Sequence, residues 1–132
     1  MDEKISVKEI MTTAVITVQA DDRLTKVVEL LQDNPIHHLV VIKKGKVVGV
    51  ISKKDLVRMH ALVGQPEIGS GNFATTAEHI MSENPLTVDP DDSIGLVADI
   101  ILANQFHSLP VVDQDELVGI VTSHDLIKYS YK

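Results

Sequence analysis

The chain is written twice. Displaced by 70 residues, its two halves align without a gap. Ile10-Met11 falls on Ile80-Met81, Thr17-Val18 on Thr87-Val88, and Asp21-Asp22 on Asp91-Asp92. Asn34, His37, Leu39 and Val41 fall on Asn104, His107, Leu109 and Val111, while Gly49, Asp55 and Leu56 fall on Gly119, Asp125 and Leu126. Many of the other paired positions, Leu24 and Ile94 or Val50 and Ile120 among them, exchange one aliphatic residue for another. Such a register requires one supersecondary unit built twice. Repeat 1 covers residues 1–62 with its core at 7–57, and repeat 2 covers 77–132 with its core at 77–127. Residues 63–76, with three glycines and a proline, read as a linker. In 132 residues each repeat is marginal as an independent fold, so the two are expected to pack together.

Each repeat carries the same series of elements. A helical turn is expected at "VKEIM" and "AEHIM", then a short strand at "VITV" and "PLTV". Asp21-Asp22 and Asp91-Asp92 offer acidic N-caps. Leu24, Val27, Val28 and Leu31 keep helical spacing, as do Ile94, Val97, Ala98 and Ile101. Asn34 and Asn104 suit the helix ends. Two aliphatic strands follow in each repeat, around a Lys-Gly turn in one and an Asp-Gln-Asp-Glu turn in the other. A last helix is expected at Lys53–Leu62 and Ser123–Tyr129. The fold class is α/β (α+β), two β-α-β-β-α units, and the aliphatic hairpins predict sheets covered on both faces.

Composition narrows the function. Net charge is −7 with no basic tract longer than a lysine pair, which argues against a nucleic-acid partner. Cysteine is absent, so disulfides and thiolate metal sites are excluded. No apolar run has the length of a membrane span and the N-terminus is polar, so the expectation is no membrane partner and a cytoplasmic location. Six histidines show no metal-ligand spacing, and no metal site is assigned. There is no serine elbow, phosphate-binding glycine loop or compact acid–base group, so the chain is not read as an enzyme and no catalytic residue is assigned.

What remains is "GVISKKD" and "GIVTSHD", ending at Asp55 and Asp125. In each, a hydroxyl residue at a strand end precedes an aspartate by three positions. A helix cap accounts for that spacing: Ser52 or Thr122 accepts from the first turn, and the aspartate reaches back. Two features point further. Gly49 and Gly119 stand inside strands, where glycine marks a bulge or the close approach of another group. A strand feeding a helix start offers free N–H groups to a phosphate, and two carboxylate oxygens suit two vicinal hydroxyls. Phosphate on the hydroxyl and backbone, ribose on the aspartate and a base against aliphatics make a coherent nucleotide site.

With "IMTTAVITV" and "IMSENPLTV", and with "HHLVVI" and "FHSLPVVD", these motifs make the chain resemble a stand-alone tandem CBS-domain pair, the regulatory module named after cystathionine β-synthase. The resemblance covers nearly the whole chain. It implies two units packed sheet to sheet with pseudo-twofold symmetry, adenine nucleotides in clefts between them, and a homodimer. Carried over by position, it implies ribose and phosphate contacts at Ser52 and Asp55 and at Thr122 and Asp125. Ile16 and Leu86 match the base-lining positions, with Leu39, Leu109 and Pro110 beside them. His38 and Ser108 stand where a basic residue often reaches phosphate, with His37 and His107 preceding them. Lys53 and His124 are the matching motif spacers. Val40 replaces the proline that repeat 2 keeps, and Ser108 replaces the basic residue, so two unequal sites are expected.

The function expected is a regulatory module that binds AMP, ADP or ATP as regulatory ligand, uses no catalytic cofactor, and passes a conformational change to an effector protein or to its own dimer. Two alternatives stay open: a structural dimerisation module that binds no nucleotide, and a sensor of S-adenosylmethionine.

Overall fold

The computed structural model describes residues 4–56, 75–104 and 107–131. It divides into two compact units that do not follow the repeat boundaries. A continuous unit is Ile16–Pro85, and a discontinuous unit joins Met1–Val15 to Leu86–Lys132. Each unit therefore takes the strands and helices of one repeat and the leading segment of the other.

The continuous unit holds one four-stranded sheet. Strand β1 (Thr17–Gln19) leads through helix α1 (Leu24–Asp33) to β2 (His38–Lys43), which pairs parallel with β1. Strand β3 (Lys46–Ser52) returns antiparallel, and helix α2 starts at residue 53, described through residue 56. Helix α3 (Ala77–Ile80) and strand β4 (Ser82–Glu83) close the unit, β4 lying antiparallel to β3. Leu24, Val27 and Leu31 bury the predicted face of α1, and Leu39, Val40 and Val41 are consecutive buried residues, so β2 is covered on both faces.

The discontinuous unit copies this plan. A 3₁₀ turn at Val7–Glu9 stands in for α3. Helix α4 (Ile94–Asn104), strands β5 (Ser108–Asp113) and β6 (Glu116–Thr122), and helix α5 (Ser123–Ser130) follow. The outer strands shrink to single bridges, Val88 parallel to Val111 and Thr12 antiparallel to Ile120. The expected second strand at "PLTV" is thus only a bridge. Proline supplies the reason, because Pro110 has no N–H to donate to that neighbour, whereas the equivalent Val40 N–H donates to Ile16 O at 3.4 Å.

The leading segments dock through the same bonds in both units. Ala77 N–H donates to Asp22 O and Val7 N–H to Asp92 O, each at 2.8 Å. Glu78 N–H donates to Ala20 O and Lys8 N–H to Pro90 O, each at 3.0 Å. Ala77 and Val7 are fully buried, each in its own unit's core. Lys8 adds an exposed ion pair with Asp91 at 2.9 Å, a hydrogen bond that raises its pKa above the ordinary 10.5.

Two local expectations need correction. The aspartate pairs do not cap α1 and α4. Asp22 and Asp92 accept from Gln19 and Asp89 N–H, each at 2.8 Å, closing the turn before the helix. Arg23 is the N-cap of α1, and Ser93 supplies the cap oxygen of α4, accepting from Leu96 N–H at 3.1 Å. The aspartates lie too early because the chain needs an extended residue between turn and helix, with φ −76° and ψ 156° at Arg23. Asn34 ends α1 in an extended conformation, its side chain donating to Leu30 O at 2.9 Å, so no left-handed cap is formed.

The strand glycines have an internal explanation. A Cβ on Gly119 would lie 2.6 Å from Met11 Sδ and 3.0 Å from Thr12 O. A Cβ on Gly49 would run into Met81 in the same way. The close group is the methionine of the docked segment, and each glycine sits beside a register shift in its hairpin. Both hairpin turns are two residues long with positive φ, at Lys44 and Gly45 and at Gln114 and Asp115. Gly119→Ala is expected to destabilise by about 1–3 kcal/mol through overpacking. Asp115→Gly, at φ 70°, is expected to stabilise by roughly 1 kcal/mol. Urea unfolding of both variants checks this, and equal effects of the same sign would contradict it.

Candidate functional site

The hairpin of each unit gathers the candidate residues at one end. In the continuous unit His38 pairs across the ladder with Ser52, and Leu39 with Ile51. Lys53 N–H donates to His37 O at 3.1 Å, folding the first residue of α2 back onto the start of β2. Ile16 arrives through its carbonyl contact with Val40. In the discontinuous unit Ser108 pairs with Thr122, and Ser123 N–H donates to His107 O at 3.0 Å. The strand start, the strand end and the helix start thus meet twice, by the same backbone bonds.

The capping box is real in both copies. Asp55 accepts from Ser52 N–H at 2.8 Å, and Asp55 N–H donates to Ser52 Oγ at 3.2 Å. At α5, Asp125 Oδ2 accepts from Thr122 N–H at 3.0 Å and from the Thr122 hydroxyl at 3.1 Å. Asp125 N–H donates back to Thr122 Oγ1 at 3.1 Å. These bonds fix each half-buried carboxylate against the helix start. They also occupy one of its oxygens. A residue outside the motif completes the second copy: the Thr12 hydroxyl donates to Asp125 Oδ1 at 3.4 Å. Thr12 comes from the N-terminal segment, 113 positions away, so no local pattern could reveal it.

The other candidates divide by burial. Leu39, Leu109 and Pro110 are buried, the two leucines as members of the hydrophobic cores. Ile16, His38 and Ser108 are half-buried, while Lys53, His107 and His124 are exposed. Leu86 is 45% exposed and its segment is held by a single bridge, so the second copy of the site is looser on that side than the first. Of the remaining histidines, His79 is structural, with its Nδ1 accepting from Thr76 N–H at 3.1 Å; His60 lies outside the described residues. Among the described residues no group of three or more His, Asp or Glu side chains is placed to hold a metal ion. No described helix is long and apolar enough to cross a membrane.

Two hairpins that each end in a hydroxyl-and-carboxylate box at a helix start define a duplicated α/β module. The chain belongs to the CBS domain family, whose profile matches residues 7–61 and 77–132. It is 27% identical over 135 residues to an uncharacterized protein of Methanocaldococcus jannaschii, covering 98% of this chain and 48% of that one. The chain therefore spans about half the length of that relative. Among solved structures it is similar to CBSX2 in complex with AMP, with 25% identity, a TM-score of 0.81 and 96% of each chain covered. It is also similar to the CBS domain pair of protein MJ0100 in complex with 5′-methylthioadenosine and S-adenosyl-L-methionine, with 27% identity, a TM-score of 0.79 and 96% of each chain covered. The fold is the α/β fold of CBS pairs, and the family connection supports a ligand-binding regulatory module.

Because the box is structural whatever else it does, Thr122→Ala is expected to cost about 1 kcal/mol in the ligand-free protein. Asp125→Asn, which keeps an acceptor oxygen for Thr122 N–H, is expected to cost less than Asp125→Ala. Chemical denaturation of the three variants measures this, and a larger loss for the asparagine variant would contradict it.

Proposed function

We propose that the chain is a regulatory module that senses an adenine nucleotide, with Asp55 and Asp125 as the ribose-holding groups. The observation that carries this is the carboxylate: in each unit it is held by its own helix cap beside the strand start and the preceding aliphatic. The likeness to an AMP-bound protein and to a pair bound to 5′-methylthioadenosine and S-adenosyl-L-methionine supports an adenosine-containing ligand. The ribose is common to all of these. Lys53 and the imidazole of His38 favour a phosphate-bearing ligand at the first copy, and the imidazoles of His107 and His124 are the matching donors of the second. Leu39, Leu109 and Pro110 would then shape the base side through the backbone they hold rather than through exposed side chains.

The output passes to an effector or to a second copy of the chain. Leu96 and Leu102 on α4, Ile127 on α5 and Tyr131 just past its end are exposed large apolar residues, and the two helices contact each other. Asp99 and Lys128 are exposed on the same helices and give the surface one charge of each sign. That composition suits an isologous dimer. Ile127→Glu with Leu102→Glu is expected to convert a dimer to a monomer in analytical ultracentrifugation. An unchanged mass would place the interface elsewhere.

One finding favours a second reading, a dimerisation module without a ligand. Capping explains both aspartates and methionine packing explains both glycines, so nothing in these motifs requires a ligand. Thermal unfolding with AMP, ATP, 5′-methylthioadenosine and S-adenosylmethionine separates the readings. A ligand at 100 times its dissociation constant adds about 2.7 kcal/mol. For a chain of this length that is a rise of several degrees. The rise is expected with AMP or ATP and is expected to shrink in Asp55→Asn or Asp125→Asn. No shift with any compound at millimolar concentration would favour the dimerisation module, and a shift with the two sulfur-containing compounds alone would exclude a phosphate seat.

A further inference from the structure

The two leading segments dock by one plan. Ile94 N–H donates to Ile5 O at 2.9 Å as Leu24 N–H does to Thr75 O at 3.1 Å, and Ser6 bridges to Ser93 as Thr76 does to Arg23. These main-chain bonds, like the methionine on its glycine, are alike at both surfaces. Two neighbouring side-chain positions in each segment are not alike, and they differ in size and in charge.

Val7 and Ala77 take equivalent seats and both are fully buried, Val7 in one core with Val121 and Ala77 in the other with Ile51. Val121 and Ile51 are themselves equivalent in the repeat register. The core that receives the smaller segment residue thus carries the larger strand residue. Val7 in the seat of Ala77 would force two extra methyl groups into a closed core. Ala77 in the seat of Val7 would leave a void of the same size.

The next residue carries the charge. Lys8 pairs with Asp91 at 2.9 Å, and its counterpart Glu78 pairs with Lys43 at 3.0 Å. The surfaces match these signs. The discontinuous unit has Asp89, Asp91 and Asp113 at the register positions where the continuous unit has Gln19, Asp21 and Lys43. Glu78 on the discontinuous unit would meet a carboxylate at each of these positions and no cation. Lys8 on the continuous unit would meet Lys43 as well as Asp21.

We infer that Val7-Lys8 and Ala77-Glu78 are the keys that assign each leading segment to its surface. The discontinuous unit selects a larger apolar residue followed by a cation, and the continuous unit a small residue followed by an anion. Size and charge agree at both surfaces, so each surface has a partner segment of defined chemistry. The inference stands apart from the ligand reading, because it uses none of the proposed ligand residues.

Hydrogen exchange of the full chain, read amide by amide in NMR spectra, tests this. Thr12 and Ile120 each donate to the other's carbonyl, so their amides report the N-terminal segment. Asn84 N–H, which donates to Val48 O at 3.2 Å, reports the second segment. Lys8→Glu is expected to speed exchange at Thr12 and Ile120 about fivefold, the upper range for an exposed ion pair, and to leave Asn84 unchanged. Lys8→Gln is expected to do less. Asp91→Lys added to Lys8→Glu is expected to restore protection, and ~1 M salt to shrink the charge effects. Ala77→Val adds apolar surface and would slow exchange at Asn84 if its seat had room, whereas the size key requires faster exchange. Trading the keys outright, with Val7→Ala, Lys8→Glu, Ala77→Val and Glu78→Lys together, is expected to cost protection at Thr12, Ile120 and Asn84. Equal effects of Lys8→Glu and Lys8→Gln, no rescue by Asp91→Lys, slower exchange at Asn84 in Ala77→Val, or full protection in the traded protein would each overturn the inference. Should the Ala77→Val proteins fold poorly, the charge variants decide alone, because Lys8, Glu78 and Asp91 are exposed.

Discussion

Each sheet is completed by a segment that its own repeat does not supply. Met11 and Met81 are the hinge of that arrangement, because each lies over a strand glycine of the unit it joins. The thioether fills a space that any Cβ would close, and the flexibility of methionine lets it follow the bend of a bulged strand. Around it the backbone bonds of Thr12 to Ile120 and of β4 to β3 cover what would otherwise be an open edge. Val7 and Ala77 then extend the contact into the cores. Remove the methionine-on-glycine fit and the outer strand, the 3₁₀ or α turn behind it and the residue beside the carboxylate all lose their seat.

This explains why the strongest sequence signals for a ligand each have a structural duty. Gly49 and Gly119 do mark the close approach of another group, but the group is a side chain of the protein. Asp55 and Asp125 do accept from donors at a helix start, but the donors are their own N-cap residues. A cap that holds a carboxylate rigid also prepares it as an acceptor, since the conformational cost of ordering it is met during folding. Under the proposed function, structural and ligand-binding roles would share the same atoms. The two copies are not equal in this respect. Val40 N–H ties Ile16 to β2 in the first copy, Pro110 has no such donor in the second, and the Leu86 side there is more open.

Much of the architecture was legible in order. The helix faces at Leu24, Val27 and Leu31 and at Ile94 and Val97 follow directly from spacing, and the hairpins from aliphatic runs around short turns. The errors came where two short-range rules competed. Asp22 and Asp92 were plausible caps, yet a turn needing a side-chain acceptor lies one step earlier and captures them. The strand at "PLTV" was drawn by analogy with its copy, and a single proline reduced it to a bridge. Of the candidate site, the capping box was readable because it is local. The contact of Thr12 with Asp125 was not, because it depends on what the chain brings back from far away.

The sequence by itself determined that there are two copies of one unit, which residues face their cores, and where a hydroxyl and a carboxylate stand at a helix start. These follow from periodicity and from interactions spanning three or four residues, which the chain encodes locally. Only the tertiary structure decided that the units are not the repeats, that the strand glycines receive methionines, and that Thr12 meets Asp125. Those depend on the leading segment of each repeat docking on the other repeat's strands and helix start. Identical repeats offer identical docking sites, so the order of residues cannot say which site a segment takes; the packing of Met11 on Gly119 and of Met81 on Gly49 does.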